Sequence, residues 1–171
     1  MPAGAIGINK KIENKLKDKN NKVFFGGTFS ANPFVCEIGY QNLNFIYKNS
    51  KNIYQKLEYL SQYFENKMNS FFNKNNLDLK IIRYDSIMRI IYSKNIIQNK
   101  AQRENIEKKL SSKINNFQKY VMNNGVFLSK KGTIFFSYSH NLKDIKHIVK
   151  VFSNGTKKYF LFNGLHIKSN T

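Results

Sequence analysis

Residues 53–71, IYQKLEYLSQYFENKMNSF, decide how this 171-residue chain folds. Apolar side chains recur there at intervals of three or four residues, at Ile53, Leu57, Leu60, Phe64, Met68 and Phe71. This spacing puts them on one face of a helix of about five turns. The segment therefore predicts a long amphipathic helix whose apolar face is covered by the elements that follow it.

Two short apolar segments come next along the chain. Residues 79–84 (LKIIRY) and 87–92 (IMRIIY) are rich in β-branched and aromatic side chains, and Asp85-Ser86 separates them. Such runs are typical of strands, and a polar pair between two of them is typical of a turn. We expect two strands here, or one strand with a break.

A second helical pattern follows the strands. Apolar residues recur at intervals of three and four from Ile106 to Val121. They predict a second long helix, and Asn123-Asn124-Gly125 is a typical C-terminal stop for it.

The last elements before the tail are a hairpin and a third helix. Residues 126–128 and 133–138 predict a hairpin around Lys130-Lys131-Gly132. Asn141 and Asp144 resemble a capping box at the start of the last helix. From residue 50 the order is helix, strands, helix, hairpin, helix, which predicts an α+β fold with a small antiparallel sheet covered by helices on one face.

The first 50 residues predict helices and a glycine turn. Ile12 and Leu16 lie four apart in the polar segment 9–22, as in a short exposed helix. Asn32 is a good N-cap before a helix that begins at Pro33 and whose apolar stripe reaches residue 47. Asn49-Ser50 is expected to separate that helix from the long one.

A net charge of +19 raises the question of nucleic-acid binding, because clustered cations neutralise phosphates. The chain has 26 Lys but only 3 Arg, and Arg is the residue best suited to bidentate phosphate and base contacts. Lys, Asn and Ile share A/T-rich codons, so a biased genome would enrich all three together. The composition favours this explanation, and a basic module that binds nucleic acid or another partner without catalysis is kept as the alternative.

Other classes of function find little support in the sequence. No run approaches the roughly 18 apolar residues of a membrane helix, and no signal peptide is evident, so a cytoplasmic protein is expected. His140, His147 and His166 are far apart and give no metal-binding pattern. His140 is expected to act as a structural neighbour of the cap at Asn141, not as a base.

The segment GGTFSANP, residues 26–33, has the chemistry of an anion contact. Gly26 and Gly27 lack side chains and allow the backbone to approach an anion closely. Thr28 adds a hydroxyl donor beside backbone N–H groups. On residue chemistry alone, a tight loop with a helix N-cap and no ligand remains the alternative.

Three segments of the chain resemble class III pyridoxal-phosphate-dependent aminotransferases related to glutamate-1-semialdehyde aminomutase. The first is MPAGAIG at 1–7 followed by GGTFSANP at 26–33; the second is YDSIMRIIYS at 84–93. The third is NNGVFL at 123–128 followed by FFSYSHNLKDI at 135–145. They occur in the family's order over residues 1–152.

The resemblance implies the C-terminal part of a fold-type I enzyme with pyridoxal 5'-phosphate as cofactor. Residues 1–48 would end the large cofactor domain, residues 49–153 would form the small α+β domain, and residues 154–171 a tail with a possible hairpin at Asn163-Gly164. Gly27 and Thr28 would contact the cofactor phosphate of the neighbouring subunit in a dimer. The amino donor and acceptor would be small molecules.

The same resemblance puts the catalytic lysine and the cofactor's carboxylate partner upstream of residue 1. Lys10 and Lys11 fall on the wrong side of the motif, so no catalytic residue is assigned in this chain. A homodimer, or a complementing N-terminal half, is the expected partner. The glutamate that the aminomutases carry before their Ser-x-x-His segment has no counterpart in residues 129–133, which leaves aminotransferase and aminomutase reactions both open.

Overall fold

The computed structural model describes residues 6–17, 26–27 and 30–161. The chain divides into two compact units, Met1–Ser50 and Lys51–Thr171.

Helix α1 (Lys10–Leu16) confirms the short exposed helix predicted near the N-terminus. The Asn9 side chain caps it by accepting the Ile12 N–H at 3.0 Å. Glu13 forms ion pairs with Lys10 and Lys17 one turn away on either side.

Helix α2 (Pro33–Lys74) begins where the sequence predicts. The Asn32 side chain accepts the backbone N–H groups of Phe34 and Val35 at 3.1 and 3.2 Å, so the predicted N-cap is confirmed. The predicted interruption at Asn49-Ser50 is wrong, because the helix is continuous. Asn49 instead donates from its side chain to the Phe45 carbonyl at 2.9 Å, and such residues weaken a helix by only tenths of a kcal/mol.

The sheet has three antiparallel strands in the order β1-β2-β3, namely β1 (Lys80–Tyr84), β2 (Ile87–Ile91) and β3 (Thr133–Phe135). Ile81 faces Ile90, and Met88 faces Ile134, and these four side chains are buried on the core side. The small antiparallel sheet is therefore confirmed, with β1 and β2 as two separate strands.

The predicted second long helix is two helices, α3 (Lys100–Lys109) and α4 (Ser111–Asn123). Leu110 lies between them with φ −101° and ψ 10°, outside helical geometry. With the helix interrupted at Leu110, Ile106 of α3 packs against the core and Ile114 of α4 is buried in it. A spacing pattern does not reveal such a break, because the apolar intervals continue through it. The predicted stop is confirmed at Asn124 and Gly125.

The predicted hairpin of residues 126–128 and 133–138 is wrong in its pairing. Strand β3 pairs with β2, whose sequence lies over forty residues earlier, and residues 126–128 join no ladder. They still alternate as a strand would, with Val126 and Leu128 buried and Phe127 85% exposed. Composition predicts the extended conformation but not the partner.

Helix α5 (Leu142–Thr156) starts with the predicted capping box. The Asn141 N–H donates to Asp144 Oδ2 at 2.8 Å, and Asn141 Oδ1 accepts the Asp144 N–H at 3.2 Å. A π-helical turn (Lys157–Leu161) continues it. The first strand of the possible tail hairpin, expected at residues 159–162, is therefore wrong over residues 159–161. Helical continuation lets Tyr159 and Phe160 pack on the core. Asn163-Gly164 and His166 lie outside the described residues.

The core of the second unit lies between the sheet and the helices. Phe152 of α5 meets Phe64 of α2 and Phe117 of α4 edge to face, each at 5.4 Å between ring centroids. The sequence-predicted α+β class, a small sheet with its core under helices, is confirmed.

Candidate functional site

The glycine loop before α2 is exposed and tight. Gly26 and Gly27 are both exposed, and the Gly27 carbonyl accepts the Ser30 N–H at 2.9 Å. A Cβ on Gly27 would lie 3.3 Å from Ser30 Oγ. Thr28, the second predicted phosphate ligand, lies outside the described residues.

Ala31 of the same loop has φ +54°, in the left-handed region that disfavours residues with a Cβ. That conformation costs alanine about 1–2 kcal/mol. Local strain of this kind clusters at ligand-binding loops.

The N–H groups at the start of α2 are already used. The Asn32 side chain accepts hydrogen bonds from the Phe34 and Val35 N–H groups, so these two groups are not free to bind an anion. An anion at this end of α2 would have to bind the loop before Asn32. Residues 26–36 contain no acidic side chain that would repel it. The described part of the loop offers exposed glycine backbone without a repelling charge.

A second candidate site is a groove of about 450 Å³ in the second unit. Its walls are residues 125–129 and 133–136, with His140 at one side. The two halves of the third sequence segment therefore line one apolar concave surface. Phe127 is 85% and Phe135 63% exposed in this region.

Side-chain hydrogen bonds hold the loop that joins the groove walls. Ser129 Oγ donates to the Thr133 carbonyl and accepts the Thr133 N–H, each at 3.1 Å. The buried Gln118 side chain donates to the Lys130 carbonyl at 3.0 Å. The loop is fixed without an acidic residue.

His140 has the structural role expected from the sequence. Its Nδ1 accepts the Ser137 N–H at 2.9 Å and lies 2.9 Å from Ser137 Oγ, which closes the turn before α5. His147 Nε2 lies 3.2 Å from the Asn124 carbonyl. Within residues 6–17, 26–27 and 30–161 no three His, Cys, Asp or Glu side chains cluster as metal ligands.

The two lysines nearest the first motif are poor candidates for covalent catalysis. Lys10 is 77% exposed and forms an ion pair with Glu13 at 3.0 Å. Lys11 is exposed on the same helix. A nucleophilic lysine needs a depressed pKa, usually from an apolar or cationic environment.

Comparison with known proteins gives the same family as the sequence motifs. The chain is 31% identical over 155 residues to glutamate-1-semialdehyde 2,1-aminomutase of Caldicellulosiruptor saccharolyticus, covering 88% of this chain and 35% of the relative. It thus spans about a third of the length of the curated relatives it matches. No protein-family model matches it.

Solved structures confirm the fold. An ω-transaminase from Sphaerobacter thermophilus superposes with a TM-score of 0.71 at 17% identity, covering 88% of this chain and 34% of that one. A transaminase with PLP bound gives a TM-score of 0.65 at 13% identity, covering 85% and 32%. None of the helices in the described ranges is long and apolar enough to cross a membrane. In sequence and in fold, this chain corresponds to the C-terminal part of the class III pyridoxal-phosphate-dependent aminotransferases that include glutamate-1-semialdehyde 2,1-aminomutase.

Proposed function

We propose that this chain supplies the C-terminal part of a pyridoxal 5'-phosphate enzyme that transfers an amino group on a small molecule. The observation that carries the proposal is the sequence similarity over 88% of the chain to an aminomutase. Because the chain spans about a third of that relative, the activity belongs to an assembly that includes the remaining two thirds.

Gly27 and Thr28 are proposed to hold the cofactor phosphate across a subunit interface. Exposed glycine backbone and the absence of acidic residues in 26–36 support this role. When bound, the cofactor supplies an electron sink for the carbon that carries the amino group. The loop's part is to fix the phosphate, and with it the orientation of the ring.

The groove between residues 125–129 and 133–136 is proposed to form one wall of the substrate site. Its surface is largely apolar, and the Ser129 hydroxyl already forms a hydrogen bond with the Thr133 carbonyl. Without an acidic side chain in the loop, the wall selects substrates by shape and apolar contact. Aminotransferase and aminomutase reactions both remain compatible with it.

The proposed assembly is a homodimer, or a complex with a separate N-terminal half. In it residues 1–48 would complete the large cofactor domain, residues 49–153 would be the small domain, and 154–171 a tail. The cytoplasm remains the predicted compartment.

A complementation experiment tests the proposal. The full 171-residue chain is produced with the N-terminal two thirds of the Caldicellulosiruptor saccharolyticus aminomutase, and the pair is purified with pyridoxal phosphate. We expect stoichiometric assembly, retained cofactor absorbance and transaminase turnover, whereas the chain alone should give no turnover. Turnover by the chain alone, or failure of the pair to retain cofactor, would contradict the proposal.

Thr28→Val in that assembly tests the loop. Loss of one hydroxyl bond to a charged phosphate should weaken cofactor binding by roughly tenfold. Ser70→Ala removes a hydroxyl from the exposed face of α2 and serves as control. Equal cofactor affinity in both variants would remove Thr28 from the site.

The net charge of +19 favours one alternative, a basic nucleic-acid-binding module without catalysis. Against it, all three arginines form ion pairs with glutamates of the chain itself. A salt titration of DNA and RNA binding discriminates, because phosphate contacts give a steep fall of affinity with salt.

A further inference from the structure

A small pocket whose wall contains several polar residues lies between α3, α4 and the loop before β3. Its volume is about 170 Å³. The polar side chains that line it are Tyr92, Glu107, Ser111, Asn115, Gln118, Lys130 and Lys131. It shares no lining residue with the apolar groove and lies in the other unit from the glycine loop.

Tyr92 is the unusual group of this pocket. The residue is 4% exposed, its ring stacks on Phe160 at 5.6 Å, and its hydroxyl oxygen has no hydrogen-bond partner in the described part of the chain. A buried hydroxyl without a partner is unfavourable, so native proteins nearly always supply one. Burial raises the pKa of the Tyr92 phenol, and the nearby Glu107 charge raises it further, so the group is a neutral donor.

The charges around the pocket sum to a positive environment. Glu107 is the acidic residue of its wall, and two arginines neutralise it: Arg89 at 3.1 Å and Arg103 at 3.5 Å. Lys130 and Lys131 lie in the loop at the pocket and are exposed. Neither lysine has an ion pair within the described ranges.

Several hydrogen-bond donors at the pocket have no acceptor within the described ranges. The Gln118 amide nitrogen is occupied by the Ser129 and Lys130 carbonyls. The donors that remain are the exposed Asn115 amide, the two exposed lysine ammonium groups and the Tyr92 hydroxyl, which is itself buried. Donors with excess positive charge select an oxygen anion.

We propose that this pocket binds the oxyanion group of a small molecule, a phosphate or a carboxylate, with Tyr92 as the buried donor and Lys130 and Lys131 as the charged rim. The ligand accepts a hydrogen bond from the Tyr92 hydroxyl and neutralises the positive charges of the two lysines. The site is independent of the proposed cofactor role, because the glycine loop takes no part in it.

The test is a calorimetric titration of the full chain with inorganic phosphate and, separately, with succinate, both at constant ionic strength. Tighter binding of phosphate identifies a tetrahedral anion, and tighter binding of succinate a planar one; either supports the site. No binding of either anion at millimolar concentrations overturns it.

Variants localise the binding. Tyr92→Phe keeps the ring and removes only the hydroxyl, and we expect about tenfold weaker binding. Lys130→Gln with Lys131→Gln should weaken it by a similar factor. The control, Lys146→Gln with Lys150→Gln, makes the same charge change on the exposed side of α5.

Two results would overturn the assignment. One is anion binding that Tyr92→Phe leaves unchanged, because the hydroxyl would then make no contact with the anion. The other is equal weakening by the two lysine pairs, which would show that overall charge and not this pocket binds the anion.

Discussion

Arg83 on β1 donates from Nε to Glu65 on α2 at 2.8 Å, and so joins the edge of the sheet to the long helix. The same guanidinium reaches Glu58, about two helical turns earlier on the same face of α2, at 2.7 Å. Arg83 is 16% and Glu65 24% exposed, so the pair is largely withdrawn from water. The two carboxylates hold the pKa of the Arg83 guanidinium above its ordinary value.

Glu65→Gln should lower the free energy of unfolding by about 1 kcal/mol, because a largely buried charged hydrogen bond is weakened while Glu58 still compensates Arg83. Glu104→Gln is the matched control, since it removes the same charge from a carboxylate that is 55% exposed and lies 3.5 Å from Lys100 and 3.8 Å from Arg103. The control should change stability by less than about 0.5 kcal/mol. Urea unfolding measures both, and equal effects would mean that the Arg83 pair contributes no more than a surface contact.

Gly155 lets α5 pack closely on α4. An added Cβ would lie 2.9 Å from a Tyr120 ring carbon and 3.0 Å from two Phe117 ring carbons. Gly155→Ala should therefore destabilise the chain by about 1–3 kcal/mol, even though alanine favours the helix.

Gly39→Ala is the control for Gly155→Ala. Gly39 lies in α2 with open space around its Cβ position. Alanine there should add about 0.5–1 kcal/mol through helix propensity alone. A loss of stability at both glycines would contradict the packing explanation for Gly155.

The turn between β1 and β2 depends on a residue with positive φ. Asp85 has φ +49°, and its carbonyl accepts from Arg83 at 3.1 Å. Asp85→Val should destabilise by about 1–2 kcal/mol, because a β-branched residue is strained there, whereas Asp85→Gly should not. Thermal unfolding of the two variants checks this, and equal melting temperatures would contradict it.

Local signals in the sequence were sufficient for the helix starts and for the turn. Asn32 and Asn141 cap helices through contacts with residues two and three positions later in the chain. Their roles can therefore be predicted from the local sequence. Asp85-Ser86 likewise forms a turn between adjacent strands.

Contacts between distant segments were not predictable in the same way. Strand β3 pairs with β2 instead of residues 126–128, and the break at Leu110 depends on what each helix buries. At the candidate sites, a motif points to Gly27 and Thr28. For Tyr92, by contrast, the sequence predicts only an aromatic side chain packed in the core, because it ends an apolar strand segment. Tyr92 differs from such a residue in its buried hydroxyl, which has no hydrogen-bond partner among residues 6–17, 26–27 and 30–161.

The buried phenol of Tyr92 should make the chain sensitive to alkaline pH. Its pKa lies above the ordinary value of 10.0 in the folded chain, so the unfolded chain releases this proton first. The contribution of Tyr92 to the free energy of unfolding is therefore fully present below pH 10. Above pH 10 it falls by about 1.4 kcal/mol per pH unit until the folded chain also releases the proton.

Tyr92→Phe removes this contribution while leaving the lysines and other tyrosines to titrate as before. The free energy of unfolding of the variant should fall less steeply above pH 10 than that of the parent chain. Urea unfolding of both chains at a series of alkaline pH values gives the difference, in which the shared ionisations cancel. Parallel curves would mean that the Tyr92 hydroxyl ionises as readily in the folded chain as in the unfolded one, and that the pocket beside it is open to water.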